Sequence, residues 1–176
     1  MGVHLSEGDF KKALSYLVPI LAFVAGIFVD EWIKHRLEGK VALHWRQTVL
    51  LIEILALIVV IFLPLGKADP LANALVSFIC SMQVQSFRKF HGMPYATTMC
   101  TGNLRSGTDH LVKYFQTKDP SRREKSLHYY SIILFFILGA AIGAVGTKLW
   151  GSPALVICCI LLAIAFAMLF VKPKTE

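Results

Sequence analysis

Five long apolar runs, each fenced by charged or turn-forming residues, decide what this chain can fold into: Ala13–Ile33, Trp45–Gly66, Pro70–Phe87, Tyr129–Trp150 and Pro153–Val171. A helix rises about 1.5 Å per residue, so about 20 apolar residues cross the ~30 Å hydrocarbon core of a bilayer. The runs match that length. A membrane barrel would instead show alternating segments of about ten residues. Composition agrees: 56% of the 176 residues are hydrophobic before glycine is counted, and 16% are charged. A soluble domain carries about 45–50% apolar residues with glycine included and about 25% charged ones. The sequence therefore reads as one all-α integral membrane domain over residues 1–176 with five transmembrane helices. The lipid bilayer is its first partner.

The first run is too long for the apolar core of a signal peptide. It ends in Asp30 and Glu31 without a small-residue cleavage pattern, so it reads as a span although Lys11 and Lys12 precede it. The formal net charge of +7 has a topological origin, because the 18 Lys and Arg lie almost wholly between or beside the runs. A nucleic-acid partner would call for a basic face on a soluble domain, and none is expected. Lys34, Arg36, Lys40 and Arg46 separate the first two spans, against Lys67 alone in the next connection. Eight basic residues lie between Arg88 and Lys125, against Lys148 alone in the last turn. This alternation is the positive-inside pattern. It makes both heavy loops and the C-terminus (Lys172, Lys174) cytoplasmic and puts the N-terminus outside.

Most of the polar content of the spans is concentrated in the third. Asn73, Ser77, Ser81 and Gln85 recur every four residues and line one helical face with a drift of about 40° per step. Polar groups at membrane depth either bond a neighbouring helix or face a wet cavity. Interhelical bonding accounts for a serine or two, whereas four consecutive polar steps with two amides point to a cavity or substrate path. Residues 88–128 then form a cytoplasmic or re-entrant segment. In it Pro94 can start a short helix carrying Thr97, Thr98 and Thr101, with Gly102 and Asn103, residues that favour left-handed backbone, ending it. The second run holds one acid, Glu53, about 12 Å along its axis. An intramembrane acid is a functional candidate, here a proton carrier, with a neutral hydrogen-bonded carboxyl as the plainer alternative. Gly139, Gly143 and Gly146 form a small-residue face suited to close helix packing or to a homodimer seam.

The residues Gln83, Gln85 and Arg88, followed by TT-x-x-TGN-L at Thr97, Thr98, Thr101, Gly102, Asn103 and Leu104, resemble the YoaK family of bacterial multi-pass membrane proteins. The shared domain of that family has no established function. The resemblance extends to an F-x-x-G pattern at Phe23–Gly26 and Phe136–Gly139 and covers essentially the whole chain. It implies an inner-membrane protein of six helices, with a further TGN-ended helix before the position where this sequence begins. The two F-x-x-G patterns lie 113 residues apart at both positions. With that sixth helix they suggest a 3+3 repeat of inverted topology, an arrangement of many secondary transporters.

The remaining candidates are weaker. Cys80, Cys158 and Cys159 lie within apolar runs, and with Cys100 they form no CxxC pair. His91, His110 and His128 lack metal-ligand spacing. No metal and no cofactor are expected, and without an ATP-binding motif any transport is secondary or facilitated. The leading expectation is a small-solute transporter or permease, working as a homodimer if so few helices are to enclose a path. A non-catalytic packing or lipid-interaction protein is the second expectation. A membrane-embedded enzyme comes last, since no nucleophile–base pair appears at depth. For the charge pattern to hold, tags within Lys34–Arg46 and at the C-terminus should report cytoplasm; an external signal from the Arg88–Lys125 loop would contradict it.

Overall fold

The computed structural model describes residues 6, 8, 10–38, 44–64, 66, 68–90, 93–94 and 100–170, with the backbone alone at 11–13, 89, 90, 93 and 94. Among these residues lie six α-helices: α1 (Phe10–Leu37), α2 (Trp45–Phe62), α3 (Asp69–Ser86), α4 (Cys100–Thr117), α5 (Pro120–Trp150) and α6 (Leu155–Met168). A two-residue antiparallel ladder, β1 (Lys89–Phe90) with β2 (Met93–Pro94), separates α3 from α4. A single 3-10 turn, Ser152–Ala154, leads into α6. Three segments are long and apolar enough to cross a membrane: Leu14–Leu37, Trp45–Phe62 and Pro120–Trp150. Helix α3 is as long as α2 but more polar, and α6 with its leading turn is a shorter apolar helix.

The chain divides into two compact units. The first comprises residues 1–86 and 150–176, and its core is Ile33, Trp45, Val49 and Met82, with Val29, Leu37, Ile52 and Phe78 packed on it. Local chemistry sets its helix ends. Lys34, His35 and Arg36 occupy the last turn of α1, where cations favour the negative end of the helix dipole. At the start of α2, His44 Nδ1 accepts from the Arg46 N–H at 3.2 Å and Gln47 Oε1 accepts from the His44 N–H at 2.9 Å. Burial, with the Arg46 charge beside it, pushes His44 below its ordinary pKa and keeps the imidazole neutral, the form that can accept. At the start of α3, Asp69 Oδ1 accepts from the Gly66 N–H at 2.9 Å, while Gly66 takes a left-handed φ of 85°.

Helices α1 and α3 run parallel, as their matched contacts show. Pro19 meets Ser77, Gly26 meets Phe78 and Ser81, and Asp30 and Glu31 meet Ser86 and Gln85. Helix α2 runs back between them in sequence, its Arg46 Nε donating to the Ser86 carbonyl at 3.1 Å. The tightest point is Gly26. A Cβ there would overlap Ser81 Oγ and lie 2.6 Å from the Phe78 carbonyl oxygen, a backbone atom that a rotamer change cannot move aside.

The second unit, residues 87–149, is built on an αα-hairpin. Helix α4 ends at Thr117, and Lys118 after it takes a left-handed φ of 56° while its N–H donates to the Tyr114 carbonyl at 2.8 Å. Asp119 then caps α5 through the Ser121 N–H, at 3.0 Å, and Pro120 takes its first position. The two helices close through Ser126 Oγ, which donates to the Gly107 carbonyl at 2.8 Å, and through His110 stacked on Tyr129 at 5.9 Å. Gly107 permits this approach, since a Cβ would sit 3.1 Å from Tyr129 Cβ.

Three local expectations change here. Gly102 and Asn103 do not end a helix: α4 starts at Cys100 and runs through both, neither has positive φ, and the left-handed stop falls at Lys118 instead. The fourth apolar run belongs to a helix that begins nine residues earlier, at Pro120, because Asp119 and Pro120 supply a cap. The fifth run breaks at its start into the 3-10 turn, so that its α-helix covers only Leu155–Met168.

Replacing Gly26 with Ala should cost about 1–3 kcal/mol, the usual range for overpacking a close contact, and lower the melting temperature by several degrees. Adding Ser81→Ala should not restore it, because the Phe78 carbonyl stays in the way. An unchanged melting temperature in Gly26→Ala would mean that α1 and α3 do not touch there.

Candidate functional site

The first unit gathers its polar side chains at one end, where the C-terminal part of α1, the N-terminal part of α2 and the C-terminal part of α3 meet. Asp30 and Glu53 are both 0% exposed, and Ser81, Ser86 and Gln47 are buried with them. Ser86 Oγ donates to Asp30 Oδ1, while Arg46 holds the Ser86 carbonyl. One residue along α1, Glu31 accepts from Gln85 Nε2, and this second bond lies on the exposed side. Lys34 and Arg46 are near enough for their charges to act on Asp30.

Glu53 lies seven residues beyond Arg46 on α2, about 10 Å further along the axis. Its charge is within range of Asp30 and Cys80. Gln83 stands beside its carboxyl, and neither Glu53 oxygen is held in a well-formed hydrogen bond among the described residues. Asp30 Oδ2 and Gln47 Nε2 share that condition. Around them stand apolar neighbours that are themselves almost inaccessible, among them Val49, Leu50 and Met82. A buried polar group without a partner costs free energy that packing alone does not require.

The polar stripe of α3 is turned toward α1 at three of its four positions. Ser77 Oγ donates to the Pro19 carbonyl at 2.8 Å, the acceptor whose usual i+4 partner would be the Phe23 N–H. Ser81 bonds back to the Phe78 carbonyl at 2.7 Å and faces Gly26, and Gln85 binds Glu31. Asn73, the fourth, is exposed. Gln83 stands off the stripe beside Glu53. Thr97 and Thr98 lie outside the described residues, as do Lys172 and Lys174. Thr101 is exposed on α4 and Asn103 is buried there, both in the second unit.

Gly139 and Gly143 have open space where a Cβ would stand, whereas Gly146 is buried. Gly26 and Gly139, alike in their F-x-x-G setting, therefore differ: one is filled by α3 and the other is open. Among the described residues no group of three or more His, Cys, Asp and Glu is arranged to hold a metal ion. Asp30, Gln47, Ser86 and Arg46 are members of the cluster that spacing did not single out. A signal existed for Asp30, which lies one turn beyond Gly26 on the same helical face.

No curated protein and no solved structure matches the chain. One family model does, over residues 1–168, and its description is a protein of unknown function. The chain belongs to this family, DUF1275.

Proposed function

We propose that the chain is a five-span protein of the bacterial inner membrane that moves a small solute by secondary transport, with Glu53 as its proton carrier. The observation that carries this reading is Glu53, wholly buried with neither carboxyl oxygen in a well-formed hydrogen bond among the described residues, in a helix long and apolar enough to cross a membrane. Intramembrane acids are rare and mark ion and proton pathways. A protein that only packs helices or organises lipid has no use for such a group. In this reading α3 and α6 join the three long apolar helices as spans, with the N-terminus outside and the C-terminus cytoplasmic. Within the first unit, Asn73, Gln83 and Gln85 line the solute path. Resemblance to the YoaK proteins supports the inner-membrane location, the 113-residue spacing of the F-x-x-G patterns supports a repeat of the kind found in secondary transporters, and the open Gly139–Gly143 face suits a homodimer.

One observation favours a second reading, a non-catalytic packing protein: Ser77, Ser81 and Gly26 form a continuous seam between α1 and α3. Water separates the two. In a background without native cysteines, Gln83→Cys and Asn73→Cys should react with a small, charged thiol reagent applied to membranes, since thiolate forms only where water reaches. Leu55→Cys, on the exposed apolar face of α2, should stay unreactive. Inertness at both polar positions would favour the packing protein. A panel of small solutes should then contain one that raises the melting temperature of the reconstituted protein, because a ligand that prefers the folded state stabilises it by mass action, about 2.7 kcal/mol at a hundred times its Kd.

A further inference from the structure

The acids of the first unit are too many for a single carrier. Asp30 and Glu53 are both fully buried, on helices that pack against each other, and each is within range of the other's charge. Among the described residues, one of their four oxygens, Asp30 Oδ1, is held in a well-formed hydrogen bond, by Ser86. The other three are acceptors with nothing to accept from among the described residues. An acceptor-only set in apolar surroundings calls for a cation, and the smallest change that satisfies it is one added proton.

We propose that Asp30 and Glu53 form one proton-binding pair, in which a single exchangeable proton from the aqueous phase converts two carboxylates into a carboxyl and a carboxylate and leaves one negative charge between them. The neighbours decide where the charge stays. Around Asp30 stand the Ser86 hydroxyl and, within electrostatic reach, Lys34 and Arg46, opposed by Glu31. These hold Asp30 as the carboxylate. Among the described residues Glu53 has Asp30, the Cys80 thiol and the Gln83 amide beside it and no cation within reach, and α6, which packs on α2, brings no charged side chain. The proton therefore rests on Glu53. A metal ion would need several more oxygens and would sit beside Lys34 and Arg46, whereas a proton needs one oxygen. The exposed Glu31–Gln85 bond, one residue from the buried Asp30–Ser86 bond, marks the end from which the pair is loaded. This inference rests on the transport reading for its use, and on the geometry alone for its existence.

Infrared difference spectroscopy of the protein in lipid, titrated from acid to alkaline pH, tests it through the carbonyl stretch of a protonated buried carboxyl. The wild type should show one such band at neutral pH. Glu53→Gln should abolish it, because Asp30, bonded by Ser86 and with Lys34 and Arg46 in reach, keeps the charge once Glu53 no longer adds to that of Glu31. Asp30→Asn should keep the band and weaken proton affinity at least tenfold, since the negative neighbour is gone. Both changes are near-isosteric, and circular dichroism verifies that the helices remain; the wild-type spectrum needs no variant at all. Absence of the band in the wild type, its persistence in Glu53→Gln, an unmoved titration in Asp30→Asn, or a band displaced by sodium at fixed pH would each overturn the pair. A titrating pair with no transported solute would sink transport and leave the pair standing. Solute uptake that is indifferent to pH, with no titrating band, would do the reverse.

Discussion

The close approach of α1 and α3 at Gly26 is the contact on which the rest of the first unit depends. With no Cβ at that point the Phe78 carbonyl and the Ser81 side chain lie against the α1 backbone. In the proposed bilayer setting there is little hydrophobic drive between helices, so small residues and hydrogen bonds would carry association. Gly26 supplies the first and Ser77, donating to Pro19, the second. Pro19 removes one N–H from the ladder of α1, and its own carbonyl, one turn on from that gap, is the group that Ser77 bonds. The register so fixed is what carries Asp30, one turn further on, to Ser86.

That end of the bundle is where polarity concentrates. Arg46 ties the start of α2 to the end of α3, and the Asp30–Ser86 and Glu31–Gln85 bonds tie the end of α1 to the same place. From there inward, partners run out. Asp30 is half satisfied and Glu53 not at all among the described residues. Removing one member of a satisfied buried network is costly because it strands the others. The same low dielectric that penalises Glu53 makes its protonation responsive to a neighbouring charge. The burial, the missing partners and the proximity of the two acids are thus parts of one arrangement.

The long helices were legible because continuous apolar content is a local property. The runs at 13–33 and 45–66 contain most of α1 and α2, and the run from Pro70 contains nearly all of α3. Tertiary partnership was not legible. The four-residue rhythm of α3 reads equally as a wetted path or as a seam, and only the position of α1 shows that Ser77, Ser81 and Gln85 point to it. Asp30 looked like the end of a span, since its sequence neighbours Glu31 and Lys34 are charged; helix α1 in fact continues to Leu37 and buries Asp30 on its inner face. Gly102 and Asn103 misled for a different reason. Their left-handed tendency is permissive, and the backbone used it at Lys118 instead.

Cross-linking of the α1–α3 register tests the account most directly. In a background free of native cysteines, Asp30→Cys combined with Ser86→Cys should form a disulfide readily on mild oxidation in the membrane, because those side chains meet in a hydrogen bond. Phe28→Cys combined with Ser86→Cys should not, because Phe28 is 74% exposed on α1, away from the buried side chain of Ser86. Efficient bonding of the 30–86 pair with none at 28–86 is the predicted result. Equal bonding at both pairs, or none at 30–86, would contradict the packing of α1 on α3 and with it the placement of Asp30 beside Glu53.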